Sequence, residues 1–291
     1  MTRTVLVPSS LVRESRDKRE ATRKLGYVAR AATIFRVDRL VVYPDRDGER
    51  RWGGGFVRTV LAYAATPPYL RKDAWGRRDE LEYVGVLPPL RAVTETGSGS
   101  DDSGSLRQGI VTEVGPDGRV RVNCGMQHPI SLNVPPEMVV EEGERVTIRV
   151  SSREPLRARI VDAPVPGVSV REAELATALS WPDAGVRIAA SRHGEPLSVA
   201  RLGELAPRVR DGFTATFGAP ERGLPEILGV TPESVSAPTG DDASDDATAT
   251  PRSDEPTDGF DLWLNTVPHQ GSEVIRTEEA LFATLSPLNL E

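Results

Sequence analysis

The sequence predicts an α/β protein built on a parallel sheet and interrupted by a small all-β unit. Three observations carry that expectation. Near the amino end, a short apolar run, a long helix with three- and four-residue apolar spacing and an unbroken apolar strand follow one another, an order that builds parallel sheets. Over residues 106–162 the composition changes to short β runs divided by turn residues. From Pro166 the alternation of strand and helix resumes, and it ends in two glycine-containing loops, each between a strand and a helix.

Taken in order, Thr4 to Val7 is a strand stopped by Pro8. Ser15 to Phe35 is a helix with Leu25, Val28, Ala29, Ala32 and Phe35 on its apolar face and Arg16, Lys18, Arg19, Arg23, Lys24 and Arg30 on the others. Arg39 to Tyr43, RLVVY, is a buried strand. Arg50 to Gly55, RRWGGG, has the glycines and arginines of a phosphate loop but lacks the Gly-Lys-Ser/Thr ending, so it is not read as a nucleotide site. Phe56 to Ala65 is a helix ended by Pro67 and Pro68. In Tyr69 to Arg78 two readings stay open: Tyr69 and Trp75 belong to the core of a second helix, or Arg71, Lys72, Arg77 and Arg78 form an RNA-facing rim. Residues 1–94 thus make the first half of the α/β domain, and 95–105, rich in Gly, Ser and Asp, a linker.

Gln108 to Val114, Arg119 to Asn123, Ile130 to Val134, Glu144 to Ser151 and Arg157 to Val161 are five short β runs, with turns at Pro116-Asp117-Gly118 and Glu142-Gly143. Five strands in this length predict a small closed barrel of OB type over residues 106–162. It holds no Phe, Tyr or Trp between Leu106 and Asp162, so base stacking on its face is not expected. Arg107 and Arg121, with Arg119, Arg149, Arg157 and Arg159, are candidates for RNA backbone contact or ordinary barrel surface. The second half of the α/β domain, 163–291, reads as a helix at Arg171–Leu179, a strand at Val186–Ala190 ending at Ser191, and a helix at Ser198–Val209 capped by Ser198. Glu233 to Asp258, with eight acids against Arg252, is expected to be a disordered solvating loop.

Charge is uneven. Residues 1–93 hold 19 Lys and Arg against 11 Asp and Glu, whereas 94–291 hold 17 against 32, within a total of −7. Only Lys18, Lys24 and Lys72 are lysine. An acidic, lysine-poor chain suits the high-salt cytoplasm of a halophilic archaeon, where RNA contacts would lean on bidentate arginine. Cys124 is the single cysteine, and His128, His193 and His269 show no ligand spacing, so neither a disulfide framework nor a metal is expected. No apolar run approaches a membrane span and no signal-peptide core forms before Pro8, which predicts a soluble, cytoplasmic protein.

The carboxyl end carries the chemistry. Thr214 to Leu228, TATFGAPERGLPEIL, runs strand, loop bounded by Gly218 and Gly223, then helix. A strand over Phe260–Val267 leads through Gln270-Gly271 into a helix with Thr277 as N-cap and Glu278 and Glu279 in its first turn. FGAPERGLPEIL together with NTVPHQGSEVIRTEEA resembles the knotted loops of the SPOUT class of RNA methyltransferases, most closely its archaeal and eukaryotic branch of RNA uridine-N3 methyltransferases. That resemblance implies a trefoil-knotted α/β domain with an OB-like insertion, acting as a homodimer on RNA, ribosomal RNA in particular, with S-adenosyl-L-methionine as cofactor. It also places Ser191, Gly218, Asn265, Thr266, Val267, Gly271 and Val274 around the donor. For a uracil N3 acceptor, Glu221 and Glu278 are candidate bases, and Arg222 and Arg276 candidates to orient the uracil or hold developing charge. An inactive RNA-binding or ribosome-assembly factor on the same fold is the alternative.

Overall fold

The computed structural model describes residues 2–92, 96–97, 104–116, 118–235 and 259–290. Along the chain these form β1 (Thr2–Pro8), α1 (Lys18–Ile34), β2 (Arg39–Tyr43), α2 (Gly54–Ala65), α3 (Arg71–Ala74), β3 (Thr96–Gly97), β4 (Gly104–Val114), β5 (Arg119–Asn123), β6 (Ile130–Asn133), β7 (Arg145–Arg153) and β8 (Leu156–Val161). There follow β9 (Ser169–Glu172), α4 (Leu175–Leu179), β10 (Val186–Pro196), α5 (Val199–Val209), β11 (Gly212–Phe217), α6 (Leu224–Leu228), α7 (Pro232–Val235), β12 (Leu262–Asn265) and α8 (Thr277–Leu288).

Six strands make a wholly parallel sheet in the order β12-β10-β11-β1-β2-β9. β1 lies between β2 and β11, so the two ends of the sequence share one sheet. Both faces are covered. Val5, Val7, Leu40, Val42, Ile188 and Ala215 pack with α1, α2 and α8, while Leu6, Val41, Tyr43 and Ala189 meet Ala178, Leu224 and Phe260 on the other side. Burial on both faces is why these strands read as unbroken apolar runs.

The antiparallel sheet, β6-β5-β4-β7-β8, is inserted between β2 and β9, which pair directly with each other. Its end strands β6 and β8 approach without a shared hydrogen-bond ladder, leaving it nearly closed around Val111, Val120, Val122, Cys124, Leu132, Val146, Ile148 and Ile160. All five expected β runs are present. Tyr69 docks this unit onto the rest: its hydroxyl donates to the Gln108 carbonyl at 3.0 Å, and its ring covers Gly125, where an added Cβ would lie 2.7 Å from it. Arg145 donates to the Thr66 hydroxyl at 2.7 Å and Asn123 to the Asp73 carboxylate at 2.6 Å across the same junction.

Several expectations are corrected. Arg171 and Glu172 belong to edge strand β9 and not to a helix, which begins only at Leu175. α1 starts at Lys18 because the Asp17 carboxylate caps Glu20 N–H at 2.7 Å. The predicted second helix of the basic segment shrinks to α3. Within the expected linker, Thr96 and Gly97 pair with Ser105 and Gly104; its other residues lie outside the described ones, as do 236–258 of the expected acidic loop. The last strand ends at Asn265, and the helix after it starts one residue earlier than predicted, so Thr277 is its first residue and Arg276 its N-cap. Ser198 does cap α5, accepting from Arg201 N–H at 3.1 Å.

Candidate functional site

The carboxyl ends of β10, β11 and β12 open onto a cavity of about 330 Å³. This is the edge of a parallel sheet where chains diverge into loops and ligands are usually held. Three local devices shape it. β10 bulges between Ala190 and Glu195, pushing Ser191, Arg192 and His193 toward the cavity, and Gly194 is needed there because a Cβ would lie 2.5 Å from Leu264 N. β11 runs into a tight turn, Ala219 to Arg222, closed by Ala219 N–H to Arg222 carbonyl at 2.9 Å and the reverse bond at 3.1 Å. After β12, Asn265 donates to the Arg192 carbonyl and accepts from Val267 N–H, both at 3.0 Å, which folds the last loop back over the bulge.

The loops are tied together. Freed from capping, the Thr277 hydroxyl donates to the Gly218 carbonyl at 2.9 Å, and Thr266 and Thr284 share a hydrogen bond of 2.9 Å. At Gly218 an added Cβ would lie 2.9 Å from both Arg222 O and Leu224 N, so only glycine fits without moving the loop.

Charge at the rim is fixed by a network that no sequence pattern reveals. Arg222 Nε donates to both Asp45 oxygens at 3.0 Å, and Nη1 to Glu226 at 2.8 Å. Asp45, 5% exposed at the end of β2, also accepts from the Ser10 hydroxyl, and its N–H donates to Ser9 Oγ at 2.8 Å. Against the desolvation that disfavours its charge, the Arg222 guanidinium is held above its usual pKa by Asp45 and then Glu226. Glu221 stands exposed on the cavity wall with φ of 60°. Following Pro220 this is the type II turn pattern, in which glycine normally takes Glu221's place.

Of the expected donor-site residues, Ser191, Gly218, Asn265, Thr266, Val267 and Val274 line the cavity; Gly271 does not, and a Cβ there meets open space. Glu221 and Arg222 line it, whereas Arg276 and Glu278 do not. Arg276 is exposed, with its N–H capped by Glu279 at 2.9 Å. Glu278 is buried beside Lys24 and Glu14, and its carboxyl is pushed above the usual range chiefly by burial, with Lys24 opposing. Of the RNA candidates, Lys72, Arg77, Arg78 and Arg121 are exposed. Arg71 instead donates to the carbonyls of Thr66 and Ala64 and stacks on Tyr63, and Arg107 donates to the Cys124 carbonyl and stacks on Tyr69. Cavity residues missed in the sequence include Arg192, His193, Glu226, Glu273 and Ile275; the bulge that presents the first two leaves no motif. Among the described residues, no cluster of His, Cys, Asp and Glu is placed to hold a metal, and no helix is long and apolar enough to cross a membrane.

A family model described as "Putative RNA methyltransferase" matches residues 2–288. An uncharacterised protein of Halobacterium salinarum is 68% identical over 100% of this chain and 99% of its own length, and one of Haloarcula marismortui is 67% identical over the same shares. A human protein named 28S rRNA (uridine-N(3))-methyltransferase is 29% identical, covering 99% of this chain and 77% of the relative. With the family model spanning nearly every residue, from the first strand through both loops to the last helix, the chain belongs to this RNA methyltransferase family.

Proposed function

We propose that the cavity holds S-adenosyl-L-methionine and that the enzyme methylates a base of ribosomal RNA, the N3 of a uridine. The observation that carries this reading is the meeting of three strand ends and two tied loops around one cavity in a chain of an RNA methyltransferase family. The cavity's size lies at the lower end of small-ligand pockets. Its walls suit the group: backbone of the glycine loops and the apolar Phe217, Leu264, Val267 and Ile275 for a nucleoside, with Glu273 for the positive sulfonium end. Ser191, Gly218, Asn265, Thr266, Val267 and Val274 are the residues that would hold it.

The bound donor supplies a methyl already activated by its sulfonium, so the protein's task is alignment and proton handling. Glu221, exposed at the rim, takes the N3 proton of the uracil as general base. Arg222, fixed by Asp45, donates to a uracil carbonyl and holds the negative charge that grows there. Substrate class follows the human, mouse and fruit-fly relatives, each named 28S rRNA (uridine-N(3))-methyltransferase. We also read the return of the last loop past Gly218 as a trefoil knot of the SPOUT type, the five-stranded sheet as an OB-like insertion, and the working form as a cytoplasmic homodimer; the packing of α8 against both α1 and β11 supports the first.

The test is transfer of labelled methyl from S-adenosyl-L-methionine to ribosomal RNA from cells lacking the protein, followed by nucleoside mass spectrometry. The expected product is 3-methyluridine at one position. No transfer, or methylation of a ribose or another base, would overturn the assignment.

A further inference from the structure

We propose that the open seam of the antiparallel sheet, between β6 and β8, binds the sugar-phosphate backbone of single-stranded RNA. This rests on the RNA methyltransferase reading and adds a second contact region, away from the candidate donor pocket. The seam holds a cleft of about 500 Å³ lined by Arg149, Arg157, Arg159, Ser131, Leu132 and Leu156, among others. Register explains why the arginines gather there. Ile148 pairs with Ile160, and both point into the core, so the next pair, Arg149 opposite Arg159, shares the outer face. Arg157, two residues from Arg159 and opposite Ser152, extends the same face, and both Arg157 and Arg159 are exposed.

Net charge hides this arrangement. Residues 104–162 contain eight arginines and eight acids, a neutral balance, with two of the acids, Glu154 and Asp162, flanking β8 and four gathered in one connection. Glu137, Glu141, Glu142 and Glu144 fall in the connection leading into β7. That connection is tied to central strand β4, with Val111 N–H donating to the Glu144 carbonyl at 2.9 Å and Gly143 N–H to the Val111 carbonyl at 2.8 Å. β4 is the strand farthest from the seam in the sheet order. The arginines therefore lie across the sheet order from the acidic Glu141–Glu144 turn.

The chemistry selects the ligand. Guanidinium groups pair bidentately with phosphate, a short-range contact that outlasts long-range attraction in high salt. With no Phe, Tyr or Trp between Leu106 and Asp162, recognition runs through phosphates, not stacked bases. Leu156, 42% exposed beside the arginines, offers an apolar contact for a ribose.

The test measures fluorescence polarisation of labelled oligouridine with the full-length protein across a salt series. The variant combines Arg149→Gln, Arg157→Gln and Arg159→Gln. Its affinity for RNA should fall at least about tenfold and its salt dependence should become shallower, since every phosphate left without its arginine takes about 0.7 off the log–log slope for a single strand. S-adenosyl-L-methionine affinity should stay unchanged. Should the triple variant melt early, Arg157→Gln alone, at an exposed edge position, should still weaken binding about two- to threefold, a share of the same electrostatic term. Unchanged RNA affinity and slope would overturn the seam while leaving the methyltransferase reading intact, as would loss of RNA binding only through loss of a dimer. A wild-type protein that binds donor but no oligouridine would also overturn the seam, and one that binds neither would remove both readings.

Discussion

At the rim of the cavity, Arg222 is locked to a buried carboxylate, whereas at the seam of the antiparallel sheet Arg149 and Arg159 stand opposite each other on an outer face. In the α/β body other arginines are paired across distant segments, with carboxylates more exposed than Asp45. Arg187 grips Asp261 at the start of β10, and Arg39 is paired with Asp183. In each case the pair joins segments far apart in sequence, so the arginine positions loops and strand ends. In the antiparallel sheet, the pair Arg121–Glu113 spans 3.5 Å between side chains more than half exposed, an arrangement worth little to stability. The same residue type thus fixes geometry in one region and presents its charge outward, toward a polyanion, in the other. The deciding factor is the burial of the arginine side chain itself, 14–28% exposed in the α/β pairs against 58% for Arg121, not the count of charges.

The largest effect should come from breaking the locked arrangement. Asp45→Asn leaves Arg222 facing a neutral amide in a partly buried site, and stability should fall by about 3 kcal/mol, as when one partner of a buried pair is removed. Chemical denaturation measures this, and the same variant should lose methyl transfer more than donor binding. A change below about 1 kcal/mol, the range of exposed pairs, would put Arg222 in the same class as Arg121.

Glu221 separates stability from function. A non-glycine residue in the left-handed region costs about 1 kcal/mol, so Glu221→Gly should stabilise the fold by about that much. If Glu221 is the base, the same substitution should lower kcat about a hundredfold or more. Denaturation and single-turnover transfer on one preparation check both. A stabilised protein with full activity would leave the strained glutamate without a catalytic role.

A smaller effect is expected from Thr277→Val, which removes the hydroxyl tie to Gly218 and should cost about 1 kcal/mol while loosening donor affinity. Smaller still is the pH effect of Glu278. Its folded-state pKa is raised, so the stability linked to its protonated form is complete below the unfolded value and is lost as pH rises through the folded one. Glu278→Gln should therefore flatten the stability–pH profile just above the ordinary carboxylate range, read from melting temperatures, with activity retained because the residue does not line the cavity.

What could be read from the sequence follows from local physics. Strands buried on both faces announced themselves as apolar runs, and the two loops as glycine-containing connections from strand to helix; the assignment of Gly218, Asn265 and their neighbours to a donor came from the family resemblance that those loops carry. β9 was misread because it is a half-exposed edge strand whose Arg171 and Glu172 carry no apolar alternation. Arg192 and His193 were missed because a bulge is set by pairing with β12, some seventy residues later in the chain. Asp45 was missed because its partner lies 177 residues away, a distance that no local pattern spans. Glu278 looked like a site carboxylate because helix position reveals neither which way a side chain faces nor what buries it.

The most direct test of the donor site is calorimetric titration of the purified protein, in high salt, with S-adenosyl-L-methionine and S-adenosylhomocysteine. Wild type should bind both saturably, and Gly218→Val, whose Cβ would press on Arg222 O and Leu224 N, should abolish or weaken binding at least tenfold while the protein remains folded. Saturable binding unaffected by that substitution would move the donor out of this cavity, and a folded wild type that binds neither ligand would contradict the assignment itself.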